Sequence, residues 1–281
     1  MRGFLSLTVL LALAAPLAAA ESLPTPPSAL GSDFSPAPDE TAFANDTDET
    51  RKFVEAAMNE IKGENVYRCI EEVTQTPPTM YRLMGTPTHD QFVAKYAKVF
   101  SSISPRIKDQ VVRIPLGGLA GQSAVRPGGD NIIGVLPGAN LTNWVVMGGH
   151  YDNREGTVGA IDNTSGICTV KELARAAIAL DLQPQATLVF GWWDGEEWGL
   201  YGSTSFVRDH SATKELLGLA KDTPVRIMVG QSWDIVGINY PAYNTWIGWG
   251  DPANPNEYAN LNLRTAPTDV ERSKRLYGRL N

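Results

Sequence analysis

Residues 143–192 read NWVVMGGHYDNREGTVGAIDNTSGICTVKELARAAIALDLQPQATLVFGW. The opening run, residues 143–147, is short and continuously apolar, the pattern of a strand buried on both faces. Residues 165–180 then place Ile167, Val170, Leu173, Ala174, Ala177 and Leu180 at helical spacing. Residues 186–192 return to a buried strand. Working outward, residues 131–135 and 108–116 read as strands separated by a Gly- and Pro-containing turn around 117–129. Residues 226–229 add one more strand, and a helix can start in residues 202–210. Upstream, Phe53, Ala57 and Ile61 recur four apart behind Asp48 and Thr50, either of which can cap a helix running to about Lys62. A second helix is expected over residues 88–100, with Phe92, Tyr96 and Phe100 on one face. Alternating buried strands and helices predict an α/β fold, a mostly parallel mixed central sheet flanked by helices on both faces.

The chain has 281 residues, long enough to bury a core without disulfides or a structural metal. Its net charge is −7 and no block of Lys or Arg interrupts it, so the electrostatic footprint of a nucleic-acid binder is missing. Residues 1–20 combine Arg2, a short apolar run and a small-residue end, which predicts a signal peptide cleaved after Ala20 and a secreted or periplasmic product without a membrane span. Residues 21–47, rich in Pro, Ser, Ala and acidic side chains, read as a flexible leader or propeptide remnant. The folded domain is then residues 48–281. Two cysteines leave room for one bridge in an oxidising compartment, but Cys168 falls inside a helical pattern and is expected to be a buried free thiol.

Three segments following three predicted strands are rich in ligand-type side chains: His150-Tyr151-Asp152 continuing to Asp162, Asp194-Gly195-Glu196-Glu197, and Trp233-Asp234-Ile235. Ligands of α/β proteins gather outside the carboxyl ends of strands, so these segments can converge. Histidine with carboxylates and no cysteine is the set of a catalytic zinc site. His150 suits a ligand, and Asp152, two residues on along an extended segment, can orient its ring. Asp162 suits a carboxylate bridging two cations, although it could instead cap the following helix, a task open also to Asn163 or Thr164. Of two adjacent glutamates, Glu197 can bind metal while Glu196 stays free to move a proton. Trp198, Tyr201, Trp233, Trp246 and Trp249 either wall an apolar substrate pocket or belong to the core.

The ordered motifs GGHYDN (148–153), GAIDNTSG (159–166) and WDGEEWGLYGS (193–203) resemble the secreted zinc-dependent exopeptidases with co-catalytic zincs, a family of aminopeptidases and glutamate carboxypeptidases with glutaminyl cyclases as distant members. NIIGVLPG (131–138) and WDIVG (233–237) extend the likeness. The resemblance implies two zinc ions. His150 and Asp234 would bind one, Asp162 would bridge, Glu197 would bind the other, and Glu196 would be the general base acting on a peptide substrate. It also implies a late histidine at the second zinc. The chain has three histidines, His89, His150 and His210, and none follows Asp234. The expectation is a chain incomplete at its C-terminus, with His210 the one conceivable replacement and His89 structural. About thirty residues between the helix ending near Phe100 and Asn131 leave no space for an inserted domain. The leading expectation is an aminopeptidase; a carboxypeptidase, a one-zinc glutaminyl cyclase and a non-catalytic relative are the alternatives.

Overall fold

The computed structural model describes residues 48–75, 77, 80–114 and 128–236. The expected signal peptide and leader, Trp246, Trp249 and the C-terminal segment lie outside them. Five strands form one sheet: β1 (Lys108–Ile114), β2 (Gly129–Leu136), β3 (Asn140–His150), β4 (Ala186–Trp193) and β5 (Arg226–Ser232), in the order β1-β2-β4-β3-β5. β2 pairs antiparallel with β1 and with β4, whereas β3 pairs parallel with β4 and β5. Only β2 therefore runs against the rest, and the sheet is mixed as expected, with its parallel part on the β4-β3-β5 side.

Strict alternation along the buried strands feeds two cores. Ile132 and Leu136 of β2, Val145 and Met147 of β3, and Leu188, Phe190 and Trp192 of β4 join one cluster; Ile133, Val135, Trp144, Val146, Val189 and Trp193 join the other. Four helices supply the first face: α1 (Asp48–Glu60), α2 (Gly63–Gln75), α3 (Pro87–Tyr96) and α4 (Ser165–Ala179). The second is covered by α5 (Tyr201–Arg208), through Phe206, and by Leu216 and Leu217 at the end of α6 (Ser211–Leu216). Each fully buried aromatic, among them Phe92, Phe100, Phe190 and Trp192, contributes about 1.5–3 kcal/mol through lost contact with water. Gly148 of β3 is required by this packing, because a Cβ there would collide with the Trp193 indole.

Three expectations need correction. α3 ends at Tyr96 rather than Phe100, and the chain continues in turns. Its start is set by Thr86, whose hydroxyl accepts from the His89 amide at 3.3 Å, and by Pro87 in the first turn. α2 was not anticipated. It begins at Gly63, just past the end of α1, and the break is held by the buried Glu172 of α4, which accepts from the Lys62 amide at 2.8 Å and from the Asn65 side chain at 3.1 Å.

Cys168 is no free thiol: it forms a disulfide with Cys69, joining α4 to α2 across a separation of 99 residues. Helical periodicity correctly turned Cys168 inward but could not reveal the partner, which sits on the unanticipated helix. Closing a loop of this length stabilises the fold by about 4.7 kcal/mol in the chain-entropy account.

Candidate metal centre

The site grows from the strand order. β3 lies between β4 and β5, with His150 opposite Trp193 and Gly148 opposite Ser232, so the loops after all three strands leave the same edge of the sheet side by side. The long β3 run ends in His150, 3% exposed. Its Nδ1 lies 3.1 Å from the Asp152 carbonyl oxygen and 3.3 Å from Asp152 Oδ1. Its Nε2 faces Asp162 Oδ1 at 3.0 Å, Glu196 Oε2 at 3.7 Å and Asp234 Oδ1 at 3.8 Å. The approach to Asp162 misses hydrogen-bond alignment, leaving Nε2 buried without a hydrogen-bond partner. One ligand atom each from His150, Asp162 and Asp234 lies within 4.8 Å of the others. Atoms about 2 Å from a shared ion sit roughly 3–4 Å from one another, so an unsatisfied imidazole nitrogen among carboxylate oxygens fits a zinc-like cation.

Electrostatics agree. Burial alone would depress the His150 pKa, yet Asp152, Asp162 and Glu196 raise it to about 11. The carboxylates therefore create a strong demand for positive charge. The His150 ring lowers the pKa of Asp162, while burial raises those of Glu196 and Asp234.

Three buried side chains lock the loops together. Asp152 accepts from the Glu196 amide at 3.0 Å and from the Glu197 amide at 3.1 Å, tying the β4 loop to the β3 loop. Asn163 donates to the Trp233 carbonyl at 2.8 Å and accepts from the Ile235 amide at 3.3 Å, gripping the chain on both sides of Asp234. Its Oδ1 also accepts from the Gly166 amide at 2.9 Å, so Asn163 serves the start of α4 and Asp162 is released from any capping task. Gly166 permits this close approach, since a Cβ would strike the Trp233 carbonyl and the Asn163 amide. Ile235 is held at φ 50°, a left-handed conformation that costs a β-branched residue about 1–3 kcal/mol and persists where surrounding contacts over-determine it.

Arg82 is the third lock. Fully buried, it donates through Nε to the Tyr151 carbonyl at 2.6 Å, and through its terminal nitrogens to the carbonyls of Val158 and Gly159 and to Thr164 Oγ1. It thereby spans the loop between His150 and Asp162, and burial lowers its pKa to about 10. The local sequence TMYRLMG carries no signal of this; only its charge amid apolar neighbours hints at a buried role.

The structure brings His150, Asp162 and Asp234 together, with Glu196 beside them and Asp152 beneath. Glu197 stands apart from the three-ligand cluster, its Oε2 2.5 Å from Arg154 Nε. His210 packs edge-on against Trp144, with ring centroids 5.2 Å apart, and is not drawn to the centre. His89 is buried on Asp194, Nε2 to Oδ2 2.7 Å, as a structural residue. Of the aromatics, Tyr201 is core and Trp233 packs partly buried against the main cluster.

Residues 131–246 match the family model described as peptidase family M28. The chain is similar to leupeptin-inactivating enzyme 1 of Streptomyces exfoliatus, 32% identical over 147 residues, which are 51% of this chain and 30% of that protein. It is also similar to a glutamate carboxypeptidase 2 homolog of Caenorhabditis briggsae, 38% identical over 84 residues, 28% of this chain and 11% of that one. The matches thus span under a third of these curated relatives' lengths. Among solved structures, Legionella LapA superposes with a TM-score of 0.51 at 21% identity, covering 66% of this chain and 47% of LapA, a likeness of fold.

Proposed function

We propose that the chain is a zinc-dependent exopeptidase of the M28 type, acting as an aminopeptidase on the terminal bond of a peptide, a reading supported by the match of residues 131–246 to the peptidase family M28 model. One observation carries the reading: the Nε2 of His150, buried without an aligned hydrogen bond, within 3.8 Å of Asp162, Asp234 and Glu196 oxygens. His150, Asp162 and Asp234 would hold the ion, which when bound supplies Lewis-acid polarisation of a carbonyl and activation of water near neutral pH.

The protein's own groups supply the rest. Asp152 orients the His150 ring and, through the Glu196 and Glu197 amides, sets the height of the general base. Glu196 is partly buried, and burial raises its proton affinity, suiting it to take a proton from the attacking water and pass it to the departing amine. Asn163 and Arg82 keep the carboxylates in register by holding backbone on both sides of them. Export belongs to the same proposal, supported by the leader-like residues 1–20 and by the Cys69–Cys168 bridge, which suits an oxidising compartment.

The test is hydrolysis of aminoacyl-nitroanilides and of dipeptides blocked at either end, with chelator and after zinc restoration. Zinc-dependent cleavage that requires a free α-amino group is the expected result. Cleavage only when the carboxyl end is free would assign a carboxypeptidase. Cyclisation of N-terminal Gln peptides without hydrolysis would assign a glutaminyl cyclase, and zinc-independent silence a binding protein.

A further inference from the structure

All three histidines of the chain are described, and only His150 reaches the centre; His89 is committed to Asp194, and His210 packs against Trp144 and Phe206. What meets the Glu197 carboxylate is Arg154, at 2.5 Å from Nε to Oε2. The two partners are unlike: the Glu197 side chain is 9% exposed and that of Arg154 74% exposed. Both are held from the backbone. Glu197 hangs on Asp152 Oδ2, and Arg154 opens a turn in which its carbonyl accepts from the Thr157 amide at 3.3 Å.

We propose that the Arg154 guanidinium occupies the place of the second cation, so that the chain takes one divalent ion at His150, Asp162 and Asp234 and admits a second only when Arg154 swings away. This rests on the metallopeptidase reading. A carboxylate shielded from water needs a positive partner, and a guanidinium meets that need with N–H donors but has no open coordination position. Because the arginine stem lies in solvent, its hold is modest and salt-sensitive, which makes the second position competitive rather than closed.

The experiment is zinc stoichiometry on the full chain, by calorimetric titration of stripped protein and elemental analysis after gel filtration, for wild type, Arg154→Ala, Arg154→Lys and the double variant Arg154→Ala, Glu197→Gln. Wild type should hold one tight ion. Arg154→Ala should gain a second, or bind it roughly fivefold or more tightly than wild type. Arg154→Lys should stay near wild type, and the double variant should return to one ion. Arg154 is exposed, so Arg154→Ala should keep its fold, checked by circular dichroism. Equal stoichiometry and affinity in wild type and Arg154→Ala, whether one ion or two, overturns the assignment of Arg154 alone. A wild type that binds no zinc overturns the metallopeptidase reading with it.

Discussion

Two buried histidines, each ringed by acids, stand at opposite fates in this fold. His89 has both nitrogens occupied: Nε2 lies 2.7 Å from Asp194 Oδ2 and 3.0 Å from the Tyr151 hydroxyl, and Nδ1 lies 3.1 Å from Asp90. Asp194 in turn accepts from the Asp130 amide at 2.8 Å and from the Gly195 amide at 2.8 Å. His150 has a satisfied Nδ1 and an unsatisfied Nε2. Similar side chains, similarly buried, thus give a closed network that holds the Asp194-Gly195-Glu196 turn and an open one that demands a cation. Completeness of hydrogen bonding, rather than burial or charge, separates the two.

The comparison breaks most sharply at the open network. Asp162→Asn should abolish tight zinc binding and cut peptidase activity by at least roughly a thousandfold, while urea denaturation of the chelated protein should shift by less than about 0.5 kcal/mol. Glu196→Gln should cost roughly a hundredfold or more in kcat with zinc stoichiometry unchanged; parallel loss of metal would move Glu196 from proton carrier to ligand. At the closed network, His89→Asn should destabilise by about 3 kcal/mol, because it strands a buried carboxylate, yet the folded fraction should still bind zinc. If His89→Asn instead removed the metal without loss of stability, the division between the two networks would fail.

Smaller effects sharpen the picture. Asn163→Ala should weaken zinc binding roughly tenfold by releasing Trp233 and Ile235 around Asp234, read by competition with a chromogenic chelator.

Finally, the pH dependence of stability should carry the His89 signature. Burial pulls its proton affinity down, Asp194 outweighs that, and the net pKa is raised; the Asp194 pKa is raised too, by burial first. A histidine with a raised folded-state pKa contributes stability fully present below its ordinary value of about 6.5 and lost as pH rises through the folded value. The gap in urea midpoint between wild type and His89→Asn should therefore narrow from pH 6 to pH 9. A constant gap would mean that the pair does not hold its proton.

Much of this was legible in one dimension. The strand, helix and strand order around residues 143–192 predicted the parallel part of the sheet, because apolar runs and helical spacing report burial directly. His150 and Asp162 were legible as ligand types at and beyond the end of a buried strand, because parallel strands open their carboxyl ends together; Asp234 was singled out from other acids after strands by the family resemblance. Arg82 was not: apart from the Met80 carbonyl, its side-chain partners lie between residues 151 and 164, about seventy to eighty residues away, and no local period encodes such a contact. Nor was the second role of Asp152, whose carboxylate supports the Glu196 and Glu197 amides as well as facing His150.

Residue types and their spacing alone determined an α/β chain bearing acids and one histidine at strand ends, since periodicity and ligand chemistry are local properties. Tertiary structure decided which groups meet. It joined Cys69 to Cys168, gave both His89 nitrogens hydrogen-bond partners while His150 Nε2 has carboxylates nearby but no aligned hydrogen bond, and set Arg154 on Glu197. Pairings of that kind depend on distances between loops, which are fixed only when the sheet orders its strands and the helices pack against it.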